Sequence, residues 1–326
     1  MIELARGTGD IRQELFRETA RKMAVHEAII EKDFWVCLTL FVLFTSKQWK
    51  SKLVFKGGTS LSKVYSLIER FSEDIDLILD WRELGLSVDD PWKPESNTQR
   101  DRFVKETNPK TVDYLRDVFI PEFGKELNDR VGPLFKMSIE GDAVKLVYPN
   151  AFSNPSILPH IILEIGPLAG WTPHETQSVT SYGAQYFPKS FSVEKADVRV
   201  VTATRTFWEK ATILHQEYNR PEDKVIPKRY SRHYYDVFRM VQSPVFKTAL
   251  EQISLLEKVV EFKNRFYRSP WSGLNDAKHG SFHLAPPEYR YPELEDDYRK
   301  MSSMFFSEPP DFELMMGTLS DMEKLI

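Results

Sequence analysis

The sequence is poor in cysteine and in long hydrophobic runs. A single cysteine, Cys37, stands among 326 residues, so an internal disulfide is excluded. The longest apolar run, residues 36–44, is interrupted by Thr39 and is too short to span a bilayer. Residues 1–20 carry charges throughout, unlike a secretory leader. These absences predict a cytoplasmic protein in a reducing compartment, with no membrane partner.

An excess of basic charge is absent as well. The chain has 44 basic and 48 acidic residues, which gives a formal net charge of −4. A general nucleic-acid-binding protein is usually basic, so any contact with RNA must use a local patch. The length exceeds that of one ordinary hydrophobic core, and 41% of the residues are hydrophobic, so two folded domains are expected.

Hydrophobic periodicity predicts an α/β (α+β) domain with N-terminal helices over residues 1–203, followed by a helical domain over residues 204–326. Two helices are expected within residues 10–46, and residues 81–110, with three prolines, are expected to form an insertion or a long loop. The remaining predicted elements are strands at 53–55, 73–80, 157–165 and 198–201, a hairpin at 134–148, and helices at 59–68, 111–130, 205–218, 231–242, 244–267, 295–305 and 312–326.

Two aspartates on the strand predicted at residues 73–80 are the first candidates for chemistry. Asp74 and Asp76 are two residues apart, so both carboxylates lie on one face of the strand. Two negative charges so close repel each other unless a cation binds between them. Nucleotidyl transfer uses carboxylates in this way, to hold Mg²⁺ beside a triphosphate. A solvated strand face has the same spacing, so the pair alone leaves both interpretations open.

A glycine turn upstream favours the functional interpretation. Residues 56–58 are Lys-Gly-Gly and are expected to turn from a strand into a helix capped by Thr59 or Ser60. Free N–H groups at the start of a helix bind anions, and glycines let a phosphate approach the backbone closely. An ordinary strand-to-helix turn is the alternative. Only about 15 residues separate the turn from Asp74, so phosphates and metal ions would meet there.

Other charged residues stand in apolar surroundings. Glu164 interrupts an apolar strand, either as an edge residue facing water or as a third metal ligand. Lys210 lies beside an apolar helical stripe, where it either extends to solvent or reaches a triphosphate. Arg232 and Asp236 are spaced to pair on a helix surface. The strongest local basic patch consists of Lys224, Lys228, Arg229, Arg232 and His233.

Several motifs, taken in order, resemble the AbiEii/AbiGii abortive-infection toxin family of the DNA polymerase β-like nucleotidyltransferase superfamily. The Gly-Gly-Thr-Ser turn followed by Asp-x-Asp is specific for the superfamily, and the later motifs narrow the resemblance to this family. The motifs are EKDFW at 31–35, FKGGTSLSK at 55–63, FSEDIDL at 71–77, RTFWEK at 205–210, YSRHYYD at 230–236, DYRKM at 297–301 and FSEPP at 306–310.

The resemblance implies a nucleotidyltransferase toxin of a bacterial toxin–antitoxin system for phage defence, antagonised by a separately encoded antitoxin. It also implies that the first domain has a nucleotidyltransferase-type mixed sheet with flanking helices. It implies a nucleoside triphosphate (NTP) as substrate, Mg²⁺ or Mn²⁺ as cofactor, and an RNA such as tRNA as acceptor. The implied metal ligands are Asp74, Asp76 and Glu164, although aspartate is more usual at the position of Glu164. Asp74, Asp76, Lys210 and Asp236 are implied to be catalytic. The implied nucleotide contacts are Gly57, Gly58, Thr59, Ser60, Lys63, Lys210 and Arg232.

Two other functions fit the same residues. A nucleotidyltransferase for a small molecule, such as an antibiotic, would use the same metal site but would enclose its acceptor in a polar pocket. A non-catalytic nucleotide- or RNA-binding regulator would need no complete metal cradle, so the presence of Asp74, Asp76 and Lys210 together argues against it.

Overall fold

The computed structural model describes residues 1–193 and 195–326. A seven-stranded sheet runs in the order β3-β4-β5-β2-β1-β7-β6. The strands are β1 (Leu53–Lys56), β2 (Ile75–Leu79), β3 (Lys136–Glu140), β4 (Ala143–Val147), β5 (His160–Gly166), β6 (His174–Thr180) and β7 (Lys195–Val201). The sheet is mixed, because β2 is antiparallel to β1 and parallel to β5. The predicted α/β (α+β) fold class is therefore confirmed.

The chain divides into two compact units. The first comprises residues 1–64 and 71–200, and the second comprises residues 65–70 and 201–326. The division into functional domains at residues 203 and 204 stays a prediction from the sequence. Within the described residues, no helix is both long enough and apolar enough to cross a membrane.

The helices of the first unit include one that is buried almost all round, α3. Its Trp35, Cys37 and Leu38 are fully inaccessible to solvent, and it contacts β5. These helices are α1 (Ile2–Arg6), α2 (Gly9–Met23), α3 (Glu27–Thr45), α4 (Gly57–Lys63), α5 (Asn97–Tyr114), a π-helical turn (Leu115–Phe119), α6 (Ile120–Val131) and α7 (Tyr182–Tyr186). Short 3-10 turns lie at Trp81–Leu84, Asp90–Trp92 and Pro188–Ser190.

The second unit is helical. Its first helix packs against the next three in sequence, and the last two pack against the second. The helices are α8 (Ala203–Tyr218), α9 (Ser231–Val241), α10 (Pro244–Glu251), α11 (Ser254–Phe266), α12 (Tyr291–Lys300) and α13 (Phe312–Glu323). Short 3-10 turns lie at Leu274–Asp276, Glu288–Arg290 and Ser302–Met304.

Several predicted elements differ from the structure. The helix after β1 begins at Gly57 with Lys56 as its N-cap, so a cap at Thr59 or Ser60 is wrong, and the helix ends at Lys63 instead of continuing to residue 68. The predicted loop at 81–110 is wrong over residues 97–110, which begin α5. A Ser-x-x-Gln capping box starts that helix, and Pro109 is tolerated inside it.

Two further differences concern the sheet and the last helices. The helix predicted at 244–267 is two helices, α10 and α11, because the chain leaves helical geometry at Gln252. Strand β6 was not predicted, since its mostly exposed side chains carry no hydrophobic alternation. The predicted hairpin, with its turn between Glu140 and Ala143, is confirmed.

Candidate active site

The centre of the sheet brings three polar residues side by side. Asp76 on β2 is paired in register with Lys56 at the end of β1 and with Glu164 on β5. Strand pairing places directly opposed side chains about 5 Å apart, so these residues are neighbours on one face. Asp76 and Glu164 are 88 positions apart in the sequence, and only the sheet topology makes them adjacent.

Gly57 leaves room for the Asp76 carboxylate. Its φ of +83° is a conformation that side chains rarely adopt, and a Cβ atom there would lie 1.9 Å from Asp76 Oδ2. The carboxylate thus lies against the bare backbone where β1 turns into α4. Among the described residues, no side chain caps the first turn of α4, and an uncapped helix start leaves backbone N–H groups that are suited to an anion.

Thr59 and Ser60 are fully buried, and their hydroxyls bond to protein atoms. Thr59 Oγ1 donates to the carbonyl oxygen of Asp74 at 2.5 Å. Ser60 Oγ donates to the carbonyl oxygen of Gly57 at 2.8 Å. Thr59 thus fixes the backbone at Asp74, and Ser60 fixes the backbone of the glycine turn.

Lys63 lies in a buried ion pair, and its predicted contact with the nucleotide stays a prediction. Its Nζ is 2.6 Å from Asp33 Oδ1 and 3.5 Å from the centre of the Tyr182 ring. Burial alone would lower the pKa of Lys63, but Asp33 holds it above its ordinary value. The lysine is therefore a charged partner of α3 in this structure.

The carboxyl groups of Asp76 and Glu164 lie in an unfavourable electrostatic environment. The pKa of Glu164 is raised to about 7. Desolvation is the largest cause, followed by the charge of Asp76, a hydrogen bond with Asp76 and the charge of Asp74. Carboxylates this close repel each other when both are ionised, and a divalent cation between them would relieve that repulsion. The donor set consists of carboxylate oxygens, which Mg²⁺ and Mn²⁺ prefer.

The carboxylates do not form a finished metal cage. Across residues 1–193 and 195–326, no group of three or more histidine, cysteine, aspartate or glutamate side chains is arranged to hold a metal ion. Mg²⁺ is commonly bound by one or two protein carboxylates together with substrate phosphates. Asp74, Asp76 and Glu164 fit that mode, in which the nucleotide completes the coordination.

In the second unit, Lys210 and Asp236 are in direct contact. Lys210 Nζ lies 2.8 Å from Asp236 Oδ2, and Asp236 is fully buried. Arg70 holds the same carboxylate with two hydrogen bonds of 2.7 Å. Burial would raise the pKa of Asp236, but Arg70 and then Lys210 hold it well below its usual range. Asp236 is thus a buried counter-ion between two cations.

Arg70 was not predicted. It lies 166 positions from Asp236, and no local pattern in the sequence marks the pair. Arg232, expected to pair with Asp236 on a surface, is half-buried on α9, whereas Asp236 is fully enclosed. The neighbouring His233 has a pKa well below its ordinary value, because of burial and the positive charges of Lys210 and Arg232.

The predicted basic patch is only partly a surface feature. Lys224 and Lys228 are exposed. Arg229 is half-buried with a positive φ of 61°, and its N–H donates to Asp297 Oδ1 at 2.6 Å. Lys224 and Lys228 are therefore the solvent-exposed lysines of the patch, while Arg229 anchors its loop.

Three consecutive charges on α3 are buried, although a helix this apolar predicts an uncharged interior. The exposed fractions of Glu31, Lys32 and Asp33 are 1%, 0% and 4%. Glu31 accepts the N–H of Ala151 at 2.9 Å, and Asp33 accepts the N–H of Tyr182 at 2.7 Å. Three consecutive charged residues inside an apolar helix indicate in the sequence that these side chains have a structural role.

Comparison with known proteins gives a family match and similar solved structures. The family model described as the nucleotidyl transferase AbiEii toxin of type IV toxin–antitoxin systems matches residues 39–318. MenT4, a nucleotidyltransferase toxin from Mycobacterium tuberculosis, is similar in structure, with 17% identity, a TM-score of 0.45, and coverage of 95% of this chain and 97% of that chain. JHP933 from Helicobacter pylori shows 13% identity, a TM-score of 0.43, and coverage of 92% of both chains. No curated protein sequence matches.

Proposed function

Because the chain belongs to the AbiEii family of nucleotidyltransferase toxins of type IV toxin–antitoxin systems, we propose that it transfers a nucleoside monophosphate from an NTP to RNA, such as tRNA. The family confirms the resemblance inferred from the motifs and implies an NTP substrate and an antitoxin partner. We also propose that the toxin acts in abortive infection as a defence against phage.

One observation carries the proposed chemistry: Asp76 lies between the bare backbone of Gly57 and the carboxyl group of Glu164. A triphosphate near the glycine turn would place its negative charge beside these acidic side chains. A cation is needed to offset the resulting repulsion. Asp74, Asp76 and Glu164 would hold that Mg²⁺ or Mn²⁺. When bound, the metal would neutralise phosphate charge and orient the triphosphate.

The reaction then follows from the substrates. A hydroxyl oxygen of the acceptor forms a bond to the α-phosphorus, the bond from that phosphorus to the bridging oxygen breaks, and pyrophosphate leaves. The hydroxyl proton is released to solvent. Catalysis of this kind consists mainly of positioning and charge stabilisation. Within the first unit, Gly57 and Gly58 would admit the phosphates, while Thr59 and Ser60 would keep that backbone and Asp74 in place.

The proposed roles in the second unit depend on its buried charges. Lys210 is the cation that would bind the nucleotide, and Arg232 is a second nucleotide contact. Asp236 acts by holding Lys210 through their 2.8 Å ion pair. The exposed Lys224 and Lys228 support an RNA acceptor, because ammonium groups at a surface are suited to phosphate contacts.

The test is incubation of the protein with each of the four NTPs, labelled at the α-phosphate, and total cellular RNA. The proposal expects label on RNA with at least one NTP, only when Mg²⁺ or Mn²⁺ is present. Label on a small molecule of the extract, with none on RNA, would replace the acceptor class. No transfer with any NTP would overturn the proposed activity.

A further inference from the structure

Lys32 occupies an unusual position for a lysine. Its side chain is fully buried on α3, where the neighbouring residues are mostly apolar. Its Nζ donates to Glu73 Oε2 at 2.5 Å and to the carbonyl oxygen of Leu158 at 3.0 Å. A buried ion pair is weak support for stability, because desolvation offsets its attraction. The contacts with Glu73 and Leu158 therefore indicate what the lysine contributes.

Glu73 and Leu158 each precede a strand that carries a proposed metal ligand. Glu73 is adjacent in sequence to Asp74 and lies two residues before β2, which carries Asp76. Leu158 lies two residues before β5, which carries Glu164. Strands β2 and β5 are parallel neighbours. The ammonium group of Lys32 thus connects the two segments that lead into the N-terminal ends of β2 and β5, which lie at the same edge of the sheet.

Asp74 has particular need of such support, because it lies one residue before β2 begins. The pairing of β2 with β5 starts at Ile75. Strand pairing therefore fixes the position of Asp76, whereas the position of Asp74 depends on contacts of the residues around it. Thr59 holds the carbonyl of Asp74 at 2.5 Å. Glu73, the residue before Asp74, forms an ion pair with Lys32, and the exposed fraction of each of these two side chains is 5% or less.

We infer that Lys32 is a positioning residue, which acts through Glu73 to hold Asp74 where it ligates the metal of the metal–nucleotide complex. The inference rests on the proposed function, since it assigns Asp74 a metal. Residues that orient metal ligands typically change metal affinity by about 10- to 100-fold when they are altered. The structure therefore assigns Lys32 an effect on metal affinity and not on the affinity for the nucleotide alone.

The test compares charge-neutral double variants. Replacing Lys32 alone would leave Glu73 buried without its cation and would threaten folding, so the test variant is Lys32→Met with Glu73→Met. The matched control is Glu217→Met with Arg220→Met, which removes another largely buried ion pair, at 2.6 Å, in the helical unit. Circular dichroism verifies folding. Glu73→Gln alone is the milder second variant, in which the amide keeps an acceptor for Lys32.

The readout is Mn²⁺ affinity in the presence of a non-hydrolysable NTP, measured by electron paramagnetic resonance of free Mn²⁺. The Mg²⁺ concentration for half-maximal transfer is measured alongside it. The Lys32/Glu73 variant is expected to bind Mn²⁺ about 10-fold or more weakly, Glu73→Gln to shift in the same direction, and the control to match wild type. Nucleotide affinity without divalent metal is expected to stay unchanged.

Wild-type Mn²⁺ affinity in either folded Glu73 variant would overturn the inference and leave the proposed function intact. Equal weakening in the Glu217/Arg220 control would overturn it too, because the effect would then be a general consequence of losing a buried pair. If wild-type protein binds no Mn²⁺ with nucleotide and transfers nothing, the proposed function itself fails, and the inference fails with it.

Discussion

Asp76 Oδ2 occupies the space that a side chain on Gly57 would need, with a Cβ atom at position 57 falling 1.9 Å from that oxygen. Glycine is therefore required there for two reasons, the positive φ and the adjacent carboxylate. We predict that Gly57→Ala abolishes nucleotidyl transfer, because the carboxylate must rotate away from its place. The measurement is transfer of labelled nucleotide, with Asp76 otherwise intact.

A glycine of the same conformation serves as the control for this change. Gly280 has a φ of +82°, and a Cβ atom there would meet nothing within 4 Å. Gly280→Ala is expected to lose about 1–2 kcal/mol of unfolding free energy from backbone strain, with transfer retained. If Gly57→Ala were as active as Gly280→Ala, the close approach would have no part in catalysis.

The burial of Asp236 leads to a prediction about stability. Asp236→Asn removes the negative charge that Arg70 and Lys210 share, so two buried cations lose a counter-ion. The free energy of unfolding is expected to fall by about 3–5 kcal/mol, as measured by urea denaturation. Asp76→Asn should cost almost nothing in the same assay, because it relieves repulsion with Glu164. Equal stability of the two variants would contradict the counter-ion assignment.

His215 predicts a dependence of stability on pH. Its Nε2–H donates to the Gly273 carbonyl at 3.0 Å, and its Nδ1 accepts the N–H of His283 at 3.1 Å, so the neutral ring is satisfied. Burial lowers the pKa of His215. As the pH falls, the unfolded chain binds the proton first, so this stability is present above an ordinary histidine pKa of about 6.5 and is lost below it.

The corresponding measurement is the urea midpoint between about pH 7 and pH 5, the range in which a histidine titrates. The wild-type midpoint should fall over this range, and His215→Asn should show a shallower fall, because Asn keeps an acceptor but takes up no proton. Some dependence should persist through His233, whose pKa is also lowered by burial. The exposed His174 provides the control, since His174→Asn should keep the wild-type slope.

The basic patch predicts how RNA binding responds to salt. Replacing the exposed Lys224 and Lys228 with alanine should reduce the slope of log affinity against log salt by about one unit for each phosphate that the variant no longer binds. Arg229 is left unchanged, because it anchors its loop through Asp297. Lys247→Ala with Lys258→Ala removes the same charge from exposed positions and serves as the control. Equal slopes in all three proteins would make the patch an ordinary solvated surface.

Local patterns predicted the fold class and the separate residues of the site, but not their partners. Period-two alternation identified the strand of Asp76, and an apolar run identified that of Glu164. Their adjacency depends on a parallel pairing between segments 88 positions apart, which no local pattern encodes. The Arg70–Asp236 pair was inaccessible for the same reason, at 166 positions.

One further feature of the structure has a signal in the sequence, and another has none. Ser96 and Gln99 form a capping box that marks the start of α5, where proline content predicted a loop. The nucleotide contact of Lys63 stays a prediction, whereas its ion pair with Asp33, a carboxylate that α3 buries and that requires a cation, could not be predicted from its motif. A buried charge has to be matched in three dimensions, and the sequence does not state which cation will match it.

The central claim is that the carboxylates just before β2, on β2 and on β5 carry nucleotidyl transfer, and one measurement tests it most directly. Wild-type protein and Asp76→Asn are incubated with α-labelled NTP, RNA and Mg²⁺, and label on RNA is quantified under single-turnover conditions, with circular dichroism as the control for folding. We predict transfer by wild type and a loss of about 100-fold or more in the folded variant, as expected when a ligand of the catalytic metal is removed. Wild-type activity in folded Asp76→Asn would contradict the account.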